Sequence, residues 1–470
     1  MRTSVDRAWI DSDNGMACAG RGGRRMNRWL TGATRGIEFI QSRNDPTSGL
    51  WQIDEGPEEH SPIVITSFYH GAAGVLHFLV EYYLLTQRAD ILATAVKKGD
   101  QLWARIEREA WLPVNMSAGW ASHFHIMHWL AEVSGEARFA ARASECTRRI
   151  RAQATKIGTG VGWIEPIPYS ELTGISGEAE IVDLSIGAAG ALLALIESHR
   201  LGYDPQALEI AIQAADRLIE VAEVTPRGLC WQMMHPMPFP FPAPNFAHGS
   251  AGVGFALARL AQFNGASKYL DAAIAAANYA GSCETPRSNG GALICHLEGA
   301  HPPTFYLGNC HGPPGTARLY LLLNELTNEP RWATYARRLM NGLDSTGAPE
   351  QRQPGLWNNY GQCCGDAGIG DFALLIGQSG IWDEGIDMAD RCARVIFAHR
   401  KEGPDGWQWP QAERRAQPDH VRAQTGYMQG AAGIGSFLLH VGSYVDGKEV
   451  RIPTLDWPSL SYQRKGEIIG

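Results

Sequence analysis

What most constrains this chain is a recurring Gly-x-x-Gly that opens an apolar helical run. It reads HGAAGVLHFLVEYY from His70, IGAAGALLALIE from Ile186 and HGSAGVGFALARLA from His248. It returns as HGPPGTARLYLLL from His311, CGDAGIGDFALLI from Cys364 and QGAAGIGSFLLHV from Gln429. Such self-similarity marks a repeat architecture, in which no unit buries its apolar face alone. The interval from Gly71 to Gly187 is about twice the others, so a degenerate unit is expected between them. MSAGWASHFHIMHWLAEVSG, from Met116, has one glycine at the turn and the apolar run after it, making seven units.

Between these runs lies a second set of helical patterns with more charge. PQALEIAIQAADRLIEVAE from Pro205, SKYLDAAIAAANYAG from Ser267 and DEGIDMADRCARVIFAHR from Asp383 are examples, and similar patterns near 28–43, 91–109, 138–156 and 329–344 bring the number to seven. Their apolar residues recur at three- and four-residue steps, as a half-buried helix requires, whereas the Gly-x-x-Gly helices are apolar nearly all round. The expected fold is all-α: a double-layered α/α toroid of seven inner and seven outer helices, with an open solenoid as the alternative. Glycine at each loop-to-helix entry permits tight turns and close approach. The inner N-termini would then share one end of the ring, which collects positive dipole potential. Residues 1–25 read as a disordered N-terminal extension and 26–470 as one toroid domain.

Hydrophobic residues make up 44% and charged residues 19%, enough for a sizeable core and too apolar for global disorder. A net charge of −8 offers no basic surface for phosphates, which argues against a nucleic-acid partner. No run approaches the roughly 18 apolar residues of a membrane span. The first 25 residues have no apolar core of a secretory signal, and nine cysteines without such a signal point to a reducing cytoplasm.

Two unit starts stand apart: Gly308-Asn309-Cys310-His311-Gly312 and Gln362-Cys363-Cys364-Gly365. Thiols precede the glycine in adjacent units, so in a toroid three sulfurs converge at one end. Three protein ligands with an open fourth position mark a catalytic zinc site, whereas a fourth ligand from Cys295, His296 or His311 would make it structural. Small buried thiols that merely pack are the reading for one lone cysteine, but a Cys-Cys pair with a third cysteine at matching repeat phase favours a metal. His123, His125 and His128 look like a cluster, but only His125 and His128 share a helical face, so packing explains them better.

These motifs resemble those of the lanthionine synthetase C-like family, whose members fold as a zinc-containing α/α toroid. The match runs from about residue 28 to the C-terminus. Cys310 matches the cysteine of the family's Trp-Cys-x-Gly motif, and Cys363 that of its Cys-His-Gly motif. Asn309 stands where the family has Trp, and Cys364 where it has His; a Cys-Cys-Gly variant with three sulfur ligands is a known subtype. The resemblance implies Zn2+ on Cys310, Cys363 and Cys364, and addition of a peptide cysteine thiol to dehydroalanine or dehydrobutyrine to close a thioether ring. It assigns acid–base work to His248, places Asp183 nearby, and leaves His311 as a second acid or hydrogen-bonding partner. A helix cap is the plainer role for Asp183, and His70 occupies the same repeat phase as His248 and His311. The toroid nearly fills the chain, so a dehydrated precursor peptide and a separate dehydratase are the implied partners.

Three rivals remain at this stage. A relative of the same family can add glutathione to dehydroamino acids, or bind peptide without catalysis around a structural zinc. A glycoside hydrolase on the same fold would use carboxylates such as Glu178, Asp183 and Asp366, and would leave the cysteines without a purpose.

Overall fold

The computed structural model describes residues 27–457, apart from 57–59, 168–173, 236, 238–242 and 449–450. The expected extension at 1–25 lies outside the described residues.

Seven helices open directly after the repeat glycines: Ala72–Thr86, Trp120–Ser134, Ala188–Arg200, Ser250–Asn264, Pro313–Thr327, Asp366–Gln378 and Ala431–Val445. They are buried on nearly every face, as their all-round apolar sequences require. Each packs on the next, and the seventh packs back on the first, which closes the ring. Seven amphipathic helices form the outer layer: Arg28–Ser42, Ala89–Ile106, Ala137–Ala152, Ala207–Glu220, Ser267–Ser282, Pro330–Asp344 and Gly385–Ala398. Arg28–Ser42 packs against the last inner helix, so the first outer and the seventh inner helix form one pair. Asn27 secures that closure: its Oδ1 accepts from Leu30 N at 3.0 Å, and its Nδ2 donates to Gly442 O at 3.0 Å. The toroid, not the open solenoid, is the fold.

The unit predicted from Met116 is present, with Gly119 before its helix. Ser122 takes the place of the second glycine and turns its hydroxyl onto Gly119 O at 2.8 Å. Elsewhere that second glycine is obligatory for close approach. A Cβ on Gly315 would sit 1.8 Å from Asn309 O, and one on Gly433 1.8 Å from Tyr427 O. The chain folds back onto the helix entry too tightly for any side chain.

Inner and outer helices are joined at one end by linkers of two residues or six. Four of the two-residue joints turn through a left-handed residue, Gln87, Gly135, Gly265 or Asn328, which ends the helix by accepting positive φ. All the long connections therefore lie at the other end, where the inner N-termini are. Short hairpins in four of them, such as Thr155–Ile157 with Gly160–Gly162, were not foreseen in an all-α reading. After three hairpins a tryptophan indole donates back to the preceding outer helix: Trp163 to Ile150 O, Trp231 to Leu218 O, and Trp409 to Ile396 O. Each of these three hairpins is thereby pinned to the end of its own outer helix, and the loops at that end ring the mouth of the toroid.

The residue two positions before each repeat glycine builds the rim of that mouth. Tyr69 N donates to Ser117 O, Met428 N to Tyr69 O, Cys363 N to Met428 O, Cys310 N to Cys363 O, Ala247 N to Cys310 O, and Ser185 N to Ala247 O, all at 2.7–3.1 Å. The hydroxyls of Ser117 and Ser185, 2.8 Å apart, close the seventh link. A hydrogen-bonded belt thus passes once round the mouth, with two of the candidate ligands as members.

Candidate metal centre and its flanking residues

Belt geometry explains why thiols from separate units meet. Cys310 and Cys363 are consecutive in the belt, and Cys364 follows directly. The Cys364 sulfur lies 3.4 Å from that of Cys310 and 3.5 Å from that of Cys363, and all three fall within 4.8 Å of one another. They are free thiols, 7–9% exposed, at the N-termini of the fifth and sixth inner helices. Among the described residues no other His, Cys, Asp or Glu joins this group. Cys295 gives its S–H to Thr304 O instead, and His296 and His311 stand outside the ligand set.

Three thiolates in contact repel one another, so one sulfur carries the charge first. Cys363 is held well below the ordinary thiol range by hydrogen bonds from Cys310 and Cys364, which outweigh its burial, and Tyr69 and His248 add to this. The other two thiols are pushed up. A divalent ion removes that conflict, and soft thiolate donors select a thiophilic one.

His248 and Asp183 come together beside the thiols as one pair, with Nδ1 and Oδ2 2.7 Å apart. Burial disfavours the imidazolium, but the Asp183 charge and hydrogen bond win, so the histidine's pKa is raised, and Cys363 adds in the same direction. Asp183 also accepts from Ile186 N through Oδ1 at 2.7 Å, so it caps the turn and orients the histidine at once. Ser67 and Asn115 cap the same turn in their units.

His311 is buried, and its ring lies 5.4 Å from that of His248 and 4.2 Å from that of His296. Burial first, then those two imidazoles, hold it well below the usual histidine range. His296 is likewise held down, to about 4. His70 faces away from this group, toward Glu413 at 3.0 Å. His123, His125 and His128 have three separate partners, Thr66 O, His77 and Tyr203, so packing does account for them. Asp366 is committed to Arg352 and Asn358, and Glu178 lies exposed at the end of a strand.

Asn309 does not cover the thiols. Its Nδ2 donates to Gln362 O, and it borders an internal cavity with Arg318 and Asp371. Trp357, Tyr306, Tyr69 and Met428 pack against the sulfurs instead. Tyr69 and Gln429 occupy the repeat phases of Cys363 and Cys364, so aligning the units would have found them. Tyr306 and Trp357 sit in connections without a repeat phase, and no sequence signal marks them.

Fold and site together define a helical toroid with a thiol cluster at its mouth able to hold a metal ion. Residues 67–456 match the family model described as lanthionine synthetase C-like protein, and the chain belongs to that family. No curated protein sequence matches the chain. Among solved structures, nisin cyclase is similar with a TM-score of 0.61 at 14% identity, over 90% of this chain and 96% of that one. Cellobiose 2-epimerase from Bacillus thermoamylovorans has a TM-score of 0.49 at 12% identity, over 90% of this chain and 100% of that one. At 14% identity, the likeness to nisin cyclase speaks to fold alone. No helix among the described residues is long and apolar enough to cross a membrane.

Proposed function

We propose that this protein is a zinc-dependent cyclase that adds peptide cysteine thiols to dehydroalanine or dehydrobutyrine, forming thioether rings. The observation that carries the reading is the juxtaposition, at one mouth, of a three-thiol cluster lacking a fourth protein ligand and the Asp183–His248 pair. The cluster fits the ion. Zinc–sulfur bonds of about 2.3 Å in a tetrahedron set sulfurs about 3.8 Å apart, and the thiols already stand at 3.4 and 3.5 Å.

Cys310, Cys363 and Cys364 would hold the zinc. When bound, zinc offers an open position at which a substrate thiol loses its proton near neutral pH. The substrate sulfur then attacks Cβ of the dehydro residue, a C–S bond forms, and the alkene's π pair moves onto Cα and its carbonyl. That enolate needs one proton at Cα. His248 supplies it: Asp183 holds Nδ1–H, which directs Nε2 to the reaction and favours the charged, donating form. His311, held neutral, serves as a hydrogen-bonding partner rather than as the acid. Substrate dehydration belongs to a separate dehydratase acting first on the precursor peptide, and the reading places both in the cytoplasm.

Because ring closure leaves the mass unchanged, thiol alkylation is the readout. A dehydrated, cysteine-containing peptide incubated with the zinc-loaded protein is expected to lose its alkylatable thiol. Cys363→Ala, with its helical signal intact, should leave the thiol in place and bind little zinc. Alkylation unaffected by the wild-type protein would sink the cyclase reading. Rapid consumption of glutathione by dehydro residues, without ring closure, would transfer it to the glutathione-adding relative.

A further inference from the structure

One cavity of the toroid lies at the end away from the thiols. It holds about 700 Å3, the size of a small-molecule site and far larger than the voids that packing leaves in an interior. We infer that it binds a small amphipathic carboxylate, with the apolar body inside and the anionic head on Arg200 and Arg259.

Its place follows from the inner helices. Leu193, Ile196 and Arg200 belong to the last two turns of Ala188–Arg200, and Arg259, Gln262 and Phe263 to the end of Ser250–Asn264. Arg200 closes the helix that opens after Gly187, which sets it about 20 Å from that glycine along the helix axis. The thiols sit at the glycine end of their own helices, so the length of the inner layer separates the two sites. Phe263, 37% exposed, and the exposed Arg200 mark where the cavity meets solvent.

Two kinds of surface meet inside. Phe124, Trp129, Leu193, Ile196, Phe263 and Leu455 make apolar walls, which favour an apolar body. Arg200, Arg259 and Arg451 bring three guanidiniums, against Glu197 as the carboxylate of the wall. Asp371 pairs with Arg451 at 2.7 Å, and Glu325 accepts from Gln262 at 3.0 Å, but neither borders the cavity. Arg451 also stacks on the Trp457 ring at 4.4 Å, so the ligand head falls to the other two arginines. Glu197 meets Arg200 through Nε and Nη2, at 2.9 and 2.6 Å, which takes two of that guanidinium's five N–H donors. Arg259 turns Nη1 onto Gln262 Oε1 at 2.8 Å, which steadies it against its own helix. Guanidinium N–H groups only donate, so the head they receive is an acceptor, and a planar carboxylate matches their fork. A cationic head would meet like charge from both helices.

Calorimetric titration of the full chain with decanoate and with naphthoate tests this. At least one of the two should bind at one per chain and raise the melting temperature, with zinc content unchanged. Arg259→Gln should weaken that binding at least tenfold, and Arg200→Gln several-fold. Decyltrimethylammonium, an alkyl chain with a cationic head, should give no binding. Silence from both carboxylates would overturn the inference, as would equal binding of the ammonium. So would unchanged affinity in both variants. If Arg259→Gln lost its helical signal, Arg200→Gln would decide alone, because that side chain is exposed and its loss leaves the core intact.

Discussion

Two histidine–carboxylate groups lie among the inner units, one at the mouth and one in the bore, and they are built for opposite ends. At the mouth, His248 meets one carboxylate, Asp183, through Nδ1, and its side chain is 16% exposed. In the bore, His440 meets two: Nδ1 lies 2.8 Å from Asp371 and Nε2 3.0 Å from Glu81. Ionised carboxylates only accept, so both ring nitrogens must carry protons and His440 is an imidazolium. Arg451 adds a second cation on Asp371 at 2.7 Å, and His77 Nε2 lies 3.4 Å from Glu81, so the two carboxylates sit in a buried group of basic side chains. Residues 451–457 pack against the inner helices: Ile452 N donates to Glu81, Asp456 pairs with Arg318 at 2.7 Å, and Pro453, Leu455 and Trp457 border a cavity of about 700 Å3 with helices of the second, third and fourth units. A histidine with one carboxylate and an opening can trade protons. One clamped between two carboxylates locks the bore.

The sharpest way to break that contrast is His248→Asn, which keeps an N–H for Asp183 but has no transferable proton. Turnover should fall by about 10²–10⁴-fold, the usual worth of a general acid, with zinc content and melting unchanged. Unaltered turnover, measured by loss of peptide thiol, would strip His248 of the proton-donor role. Next comes His440→Leu in the bore. It leaves two buried carboxylates with only Arg451 on Asp371 and His77 on Glu81, and breaking such a group costs about 3–5 kcal/mol. Chemical denaturation should show that loss, while zinc per folded chain stays the same. A loss below about 1 kcal/mol would mean that water already reaches the group, and the bore would not be the locked region described above.

How much of this could be read beforehand depended on repeat phase. The toroid, the hidden unit at Gly119 and the meeting of Cys310, Cys363 and Cys364 followed from one-dimensional spacing, because equivalent positions in a ring recur at equivalent places in space. Tyr69 and Gln429 carried the same phase, so alignment of the units leads to them, but neither is a ligand type that marks the site by itself. Arg451 and Asp456 had no phase at all. They follow the last helix once, and only a closed ring gathers the inner helices that this segment packs against. The hairpins were missed because three-residue strands are too short for an alternating pattern to stand out, and their tryptophans act through an indole N–H, not through periodicity. Asn309 invited a comparison with tryptophan at the metal, but its amide turns to Gln362 O and the bore.

The smallest effect concerns pH, and it distinguishes the two histidines by what each one loses. Burial opposes a charged His440, but Asp371 and Glu81 win and lift its pKa from 6.5 to about 9. Folding therefore takes up a proton wherever the unfolded histidine has already lost it. The stability so gained is fully present below pH 6.5 and drains away as pH rises through about 9. Melting temperature should fall across that window in the wild-type protein, by a few degrees, and the slope should flatten in His440→Leu. His248, also raised, should show its deprotonation in turnover instead: the rate declines on the alkaline side while the metal stays bound. A wild-type melting temperature that is flat from pH 6.5 to 9.5 would contradict the imidazolium in the bore. If the slope persisted unchanged in His440→Leu, another group would own it, and the division between a locked bore and a reactive mouth would have to be redrawn.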